Sequence, residues 1–297
     1  MTLAPATTGE TAARLRGIGI YCLAFLCFAC LDACAKYASH FVPTMEVVWI
    51  RFLGHAIVAA LMLRPWLDLT PYLTRRPLLQ LVRGVLLFGS TVFNFLALRK
   101  LQLADTTTIN FASAFVVAAL AGPLLGEWLG PRRWAAIGVG FLGVLIVTRP
   151  GTGAFQPAIL LSIGSMTCNS LYVLLTRLMR TTESAAGMLL FPALSAIVCL
   201  APFALPGAIL PPTPFLAGVL AMTGVLGAVG HWCLIRAHRL APAAVLSPFV
   251  YTQIIWMVGL GYFVFADVPS LVTLIGAAVI IVSGLYILYR ERVHGDH

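Results

Sequence analysis

Ten stretches of about 20 mostly apolar residues, set apart by short polar breaks, leave this chain few ways to fold. They lie near 17–37, 45–64, 78–99, 105–125, 133–149, 157–177, 187–204, 214–236, 243–264 and 270–289. Each matches the length of helix needed to cross a bilayer, about 17 to 25 residues. Inside lipid a segment must satisfy its own backbone hydrogen bonds, so stretches of this length are expected to be helices. Pro43, Pro65 with Pro71, Pro131 and the Pro211–Pro214 run punctuate the connections. The composition agrees: 60% of residues are hydrophobic and only 10% are charged, where a soluble domain carries about 25% charged residues. The fold class expected is an all-α polytopic membrane protein, and nothing between the spans is long enough to form a soluble catalytic domain.

The formal net charge of +9 invites a nucleic-acid reading, but its placement argues otherwise. If the N-terminus is cytoplasmic, the inside segments hold Arg14, Arg16, Arg64, Arg75, Arg76, Arg83, Arg132, Arg133, Arg177, Arg180, Arg236, Arg239, Arg290 and Arg292, which is 14. The outside segments hold Lys36, Arg99, Lys100 and Arg149, which is 4. Basic residues accumulate on the cytoplasmic side of a membrane, so both termini are expected inside, in the cytoplasmic (inner) membrane. The residues before Arg14 lack a charged n-region. The apolar run after Arg16 is too long for a signal-peptide core and has no A-x-A site, so it is expected to be retained as the first span.

The chain also resembles itself. "ALRKLQLADTTTINF…LLGE" runs from Ala97 to Glu127, and "AHRLAPAAVLSPF…VFAD" runs from Ala237 to Asp267, an offset of 140 that lays Arg99 on Arg239. Lys36, closing span 1, precedes Arg177, closing span 6, by 141. The expected division is a tail at 1–16, a first repeat at 17–149, a second at 157–290 and a tail at 291–297. Five is an odd number of crossings, so the second repeat must thread the membrane opposite to the first. Inverted repeats of this kind typify secondary transporters, with the binding site near the midplane between the halves.

Polar side chains within the spans are candidates for that site. Arg51 and His55 interrupt "VVWIRFLGHAIVAALML"; an arginine near a helix centre costs roughly 2.5–3.5 kcal/mol on insertion scales. Such a residue is expected to face protein or water rather than lipid. Asp32 lies at a similar depth on span 1, with Lys36 four residues on and therefore on the same face. Asp32, Lys36, Arg51 and His55 are expected to form an ion-pair or gating group, with Asp32 paired to Arg51 or Lys36 and with Asp32 and His55 able to carry a proton. Thr91 and Asn94 on span 3, Thr106, Asn110 and Ser113 on span 4, and Asn169 and Tyr172 on span 6 are expected to line a substrate cavity. His231 and Trp232 on span 8 and Ser247 and Tyr251 on span 9 complete that set. Its aromatic members favour partly apolar substrates. Pro192 and Pro248 are expected to bend spans 7 and 9.

Over residues 17–290 the order and spacing of "LDACAKY", "WIRFLG", "ALRKLQLAD", "LLGEWL", "YVLLTRLMRTTES", "AHRLAPAAVLSPFVYT" and "FVFAD" resemble the drug/metabolite transporter superfamily, specifically its EamA-type members. The resemblance implies ten helices in two inverted five-helix halves around a central cavity, and export of amino acids or related small metabolites. Asp267 stands where that pattern usually has glutamate. The His231-Trp232 pair is not a general feature of the family and is expected to bear on substrate preference.

The function expected is a secondary-active exporter working by alternating access, with a small-molecule substrate, and with a proton or counter-substrate as coupling partner. An antiporter of a nucleotide-sugar or phosphorylated metabolite is the alternative, weakened by the few cations at mid-depth. An intramembrane enzyme would need a convergent set such as H-E-x-x-H or paired aspartates, and none is found, so no enzyme is expected; a non-transporting scaffold is the other rival. No cofactor, metal or nucleic-acid partner is expected. Cys27-x-x-Cys30 with Cys34 lacks companion ligands, and the seven cysteines read as small packing residues. The Gly138–Gly143 and Gly259–Gly261 motifs read as close helix contacts, since a phosphate loop would need a preceding strand.

Overall fold

The computed structural model describes residues 8–294, apart from 69, 127, 129, 152–155, 180 and 181. Twelve α-helices appear among the described residues: α1 (Thr8–Ala38), α2 (Thr44–Leu63), α3 (Pro77–Leu98), α4 (Leu103–Phe111), α5 (Ser113–Leu125), α6 (Pro131–Thr148), α7 (Ile159–Met179), α8 (Ala185–Ala204), α9 (Pro214–Leu240), α10 (Ala243–Leu246), α11 (Gln253–Phe265) and α12 (Leu271–His294). They supply ten spans long and apolar enough to cross a membrane. Span 4 joins α4 to α5, and span 9 joins a 3-10 turn, Ser247–Thr252, to α11. Helix α1 begins at Thr8, so the helix reaches into residues expected as a tail.

The sequence explains where helices start and stop. Pro77, Pro131 and Pro214 occupy first-turn positions, where a missing N–H costs nothing. Ser184 and Thr213 accept from the amides of Gly187 and Leu216 and so cap α8 and α9. Helix α11 ends on a left-handed residue: Ala266 (φ 54°) donates its amide to Tyr262 O, and the Asp267 amide reaches Gly261 O. Gly126, 140 residues earlier, ends α5 with φ 76°. Both halves therefore turn at the same register, with Gly in one and Ala in the other.

The helix pairing carries the same symmetry. Helix α1 packs on α9 and α3 on α7; α2 packs on α8 and α9, α3 also on α8, and α6 on α12. Shifting one half by 140 residues exchanges these pairs or returns them to themselves. The break in span 4 at Ala112 corresponds to the change from 3-10 turn to α-helix at Thr252. Helices associate in lipid mainly by close packing, which favours small residues at crossings. A Cβ on Gly224 would stand 2.6 Å from Gly54 Cα, and one on Gly84 would stand 2.6 Å from Ser195 Cβ. Gly84 and Gly224 are 140 apart, so the same tight crossing is used twice. Pro192 lies within α8 against Gly84, and Pro248 lies in the 3-10 turn.

Four packed clusters result among the described residues, two of them larger than the rest. One gathers Phe52, Phe95, Leu98, Leu220 and Met257 around the first three spans and their partners. The other gathers Phe111, Phe115, Ile137, Met166 and Ile280. The bundle has two ends: α1, α3, α8 and α11 finish at one, which holds Lys36, and α2 and α9 finish at the other, which holds Arg83.

Candidate functional site

Two polar groups lie between the halves, partly or wholly buried. The first is a relay across four helices. Asn94 on α3 donates to Asp32 Oδ1 on α1 at 3.1 Å. Asn110 on α4 donates to Thr106 O at 3.0 Å and lies 3.5 Å from Asn94 Oδ1. Ser165 on α7 donates to Asn110 Oδ1 at 3.4 Å and faces Ser90 Oγ at 3.3 Å. Asp32 is six residues from the end of α1, about 9 Å deep at 1.5 Å per residue.

The second group surrounds a small chamber. Arg51 and His55 of α2, Tyr172 of α7 and His231 of α9 line it with Phe52, Leu87, Met188, Leu189, Pro192 and Ala193, around a void of ≈ 10 Å³. Arg51 is 5% exposed and His55 4%. Arg51 holds its guanidinium carbon over the Phe52 ring, 4.3 Å from the ring centroid. Its Nε and Nη1, and both nitrogens of His55, meet no hydrogen-bond partner among the described residues. The His55 and His231 rings meet edge to face at 5.4 Å. His231 Nδ1 stands 2.9 Å from Gly227 O; a carbonyl only accepts, so this nitrogen carries the proton.

Each end of the bundle is closed differently. At one, Lys36 Nζ donates to Asp267 Oδ2 at 2.7 Å and to Leu101 O at 3.1 Å, with the Phe265 ring 4.9 Å away. The left-handed turn at Ala266 places Asp267 against this lysine. Beside the pair lie two cavities of ≈ 320 and ≈ 300 Å³ that share Leu101, Gln102, Asp105 and Gln156. Asp105 there accepts from Thr273 at 2.8 Å. At the other end Arg83, 1% exposed, donates to Gln80 Oε1 at 2.8 and 3.1 Å, to Met188 O at 2.7 Å and to Thr176 Oγ1 at 3.4 Å. Gln80 in turn donates to Glu183 Oε2 at 3.2 Å, and the Arg75 amide donates to Oε1 at 3.1 Å. Burial works to raise the Glu183 carboxyl, but hydrogen bonds from Thr74, Gln80 and the Arg75 and Arg76 amides outweigh it and hold it below the ordinary glutamate range. Tyr172 joins this end to the chamber, its ring 5.4 Å from the Arg83 guanidinium.

Several expected site residues thus come together and others do not. Asp32, Asn94 and Asn110 share the relay; Arg51, His55, Tyr172 and His231 share the chamber. Lys36 turns away from Asp32 to Asp267 of the other half. The i, i+4 spacing puts Asp32 and Lys36 on one face, but Asp267 reaches Lys36 at the helix end. Asp32 and Arg51 act on each other electrostatically without closing an ion pair within 4.0 Å among the described residues. Thr91, Thr106 and the hydroxyl of Ser170 bond backward along their own helices, and Ser170 also reaches Ser113 O. Ser247 is buried without a partner among the described residues, Tyr251 packs on Phe111 at 5.1 Å, and Asn169 is half-buried on α7. Trp232 is 39% exposed beneath Arg236 and does not line the chamber. Among the described residues the small chamber is bounded by expected site residues of both halves, and two larger spaces lie at the Lys36 end. Arg83, Gln80, Glu183, Asp267 and Ser165 were not among the expected site residues. Arg83 counts as a loop charge when only span ends are read, yet it sits two turns inside α3. Glu127 and Arg180, singled out in the sequence, lie outside the described residues.

Comparison with known proteins identifies the fold's relatives. The model of the EamA-like transporter family matches twice, over residues 15–149 and 156–290. An S-adenosylmethionine uptake transporter of Rickettsia felis is 28% identical over 282 residues, covering 94% of both chains. A riboflavin transporter of Vibrio cholerae is 26% identical over 283 residues, covering 90% of both. A solved crystal structure superposes with a TM-score of 0.63 at 19% identity, covering 96% of this chain and 99% of that one, and so shares the fold.

Proposed function

The chain belongs to the EamA-like transporter family, and from that premise we propose a secondary carrier that moves a small metabolite bearing an amino-acid group by alternating access. One observation carries the reading. The two halves are tied together at opposite ends by Lys36–Asp267 and by the Arg83–Gln80–Glu183 network, with buried polar groups between the ties. A carrier of this kind needs a central site and two closures that open in turn. Tyr172 lines the chamber and lies beneath Arg83, so a ligand there can loosen one closure through a single side chain.

The substrate class follows from charge and from relatives. Asp32 and Arg51 lie at similar depth, about 9–10 Å from one face by helix rise, and offer opposite charges to a zwitterion. S-adenosylmethionine, moved by the Rickettsia felis relative, carries such a group, and so do the amino acids expected from the sequence. Net direction follows the gradients, so uptake and export are one cycle run two ways; the gradient is that of the substrate, of a counter-substrate or of protons. The 14-to-4 distribution of basic residues supports both termini in the cytoplasm and the Lys36 end outside, in the inner membrane.

The test is flux into proteoliposomes holding the purified protein, with radiolabelled S-adenosylmethionine, methionine and riboflavin offered separately. Saturable, protein-dependent uptake of the first two is expected. Movement of riboflavin alone would move the reading to an uncharged ring system, and movement of none would defeat it.

A further inference from the structure

We infer that Arg51 and His55 form a carboxylate subsite in the chamber between α2, α7, α8 and α9. The inference deepens the proposed function and rests on its substrate class, but its geometry stands independently. A guanidinium remains charged at any physiological pH, and a buried charge is costly unless an opposite charge or hydrogen-bond acceptors meet it. The Arg51 guanidinium carbon lies over the Phe52 ring and Asp32 acts on it from beyond ion-pair distance; Nε and Nη1, on different sides of the group, meet no partner among the described residues. His55 stands one helical turn away on the same face and adds an N–H donor. His231, its proton fixed on Nδ1 by Gly227 O, turns its ring edge to His55 and holds that ring in place.

The donor set favours a carboxylate over a phosphate. A carboxylate bears one charge, which the single guanidinium matches, and each of its oxygens accepts an N–H bond. A phosphoryl group bears nearly two charges, and the next cation towards the Arg83 end is already bonded to Gln80, Met188 O and Thr176. Phe52, Leu87, Met188, Leu189, Pro192 and Ala193 are apolar walls, and beyond Arg51 and His55 the polar lining is Tyr172 and His231, neither of them a second fixed cation. Gly227 keeps the donors uncovered: a Cβ there would stand 3.6 Å from His55 Nδ1 and 3.9 Å from Arg51 Nε. The void of ≈ 10 Å³ holds about one water, so a carboxylate must also shift the unbranched Met188 side chain.

The experiment measures melting temperature of the purified full-length protein in sodium acetate, acetamide or sodium phosphate, with ionic strength matched by sodium chloride. Acetate is expected to raise it saturably, acetamide to leave it unchanged, and phosphate to act with about tenfold weaker affinity. Arg51→Gln and Gly227→Ala should each abolish the acetate effect, and Arg51→Lys should weaken it. Should Arg51→Gln fail to fold, Gly227→Ala and the acetate–acetamide contrast decide the matter. Equal responses to acetate and acetamide, or an acetate response intact in the variants, would overturn the subsite. The two readings fail separately. Acetate stabilisation without flux of any amino-acid compound keeps the subsite and removes the carrier's substrate class. Flux equal in wild type and Arg51→Gln, without an acetate response, does the reverse.

Discussion

At the Lys36 end the halves are joined by a partly exposed ion pair next to open cavities, its lysine and aspartate side chains 10% and 25% exposed. At the Arg83 end they are joined by a buried arginine that bonds α3, α7 and the start of α8 together, backed by Glu183. The ion pair is flanked by water-accessible space and gains little from each bond; the network sits in a protein interior where each lost partner is expensive. Under the proposed cycle the Arg83 end, held by more buried bonds, is expected to be the firmer closure and the Lys36 end the one that opens at smaller cost. Five substitutions break or sharpen that contrast.

The largest effect is expected from Arg83→Ala, which strips acceptors at Gln80, Thr176 and Met188 O of their donor and leaves a hole. Loss of about 3–5 kcal/mol, the range for breaking a buried charged group away from its partners, should appear as a sharp fall in folded yield and melting temperature. Next comes Gly224→Ala, whose new Cβ meets the Gly54 backbone at 2.6 Å; overpacking of this kind costs about 1–3 kcal/mol. Gly84→Ala meets Ser195 Cβ, also at 2.6 Å, at the equivalent crossing; a Cβ is held by its own backbone, so a similar loss is expected. Clearly unequal losses would argue against reading the two crossings as repeats of one design.

Glu183 adds a pH dependence. Its carboxyl is held below the ordinary value in the folded protein, so the ionised form stabilises the fold above the unfolded value, about 4.3. That contribution should fade as pH falls from there through the lowered folded value. Melting curves of wild type and Glu183→Gln should differ at neutral pH and converge in acid; a constant gap would remove the carboxylate from the closure. The smallest change in stability is expected from Lys36→Met, about 1 kcal/mol or less for a partly exposed pair. Its signature is local: amide hydrogen exchange should quicken at residues 98–105 and 265–270 and stay unchanged at 77–84 and 184–188. Exchange rising equally at both ends would erase the distinction between them.

The ten crossings were legible because run length and lipid chemistry together leave one solution. The repeat was legible because charged landmarks recur at one offset, and the crossings at Gly84 and Gly224 keep it. The site was less so. Spacing along a helix reports which residues share a face, and it placed Asp32 with Lys36; it cannot report that Asp267, 231 positions away, ends on Lys36. Arg83 was read as a flanking charge because sequence does not reveal that α7 and α8 cover the first turns of α3. Trp232 neighbours His231 in sequence, but one step along a helix turns a side chain by about 100°, and only His231 reaches the chamber. Arg51 was found because an arginine in an apolar run is conspicuous wherever it points.

The central claim is that opposed halves pass an amino-acid-bearing solute through a site that includes Arg51. Counterflow tests it most directly: proteoliposomes loaded with unlabelled S-adenosylmethionine are placed in a trace of the labelled compound. The account expects transient accumulation of label inside the vesicles, absent for Arg51→Gln protein incorporated to the same level. Label that never exceeds the outside concentration, or accumulates equally with Arg51→Gln, would contradict it.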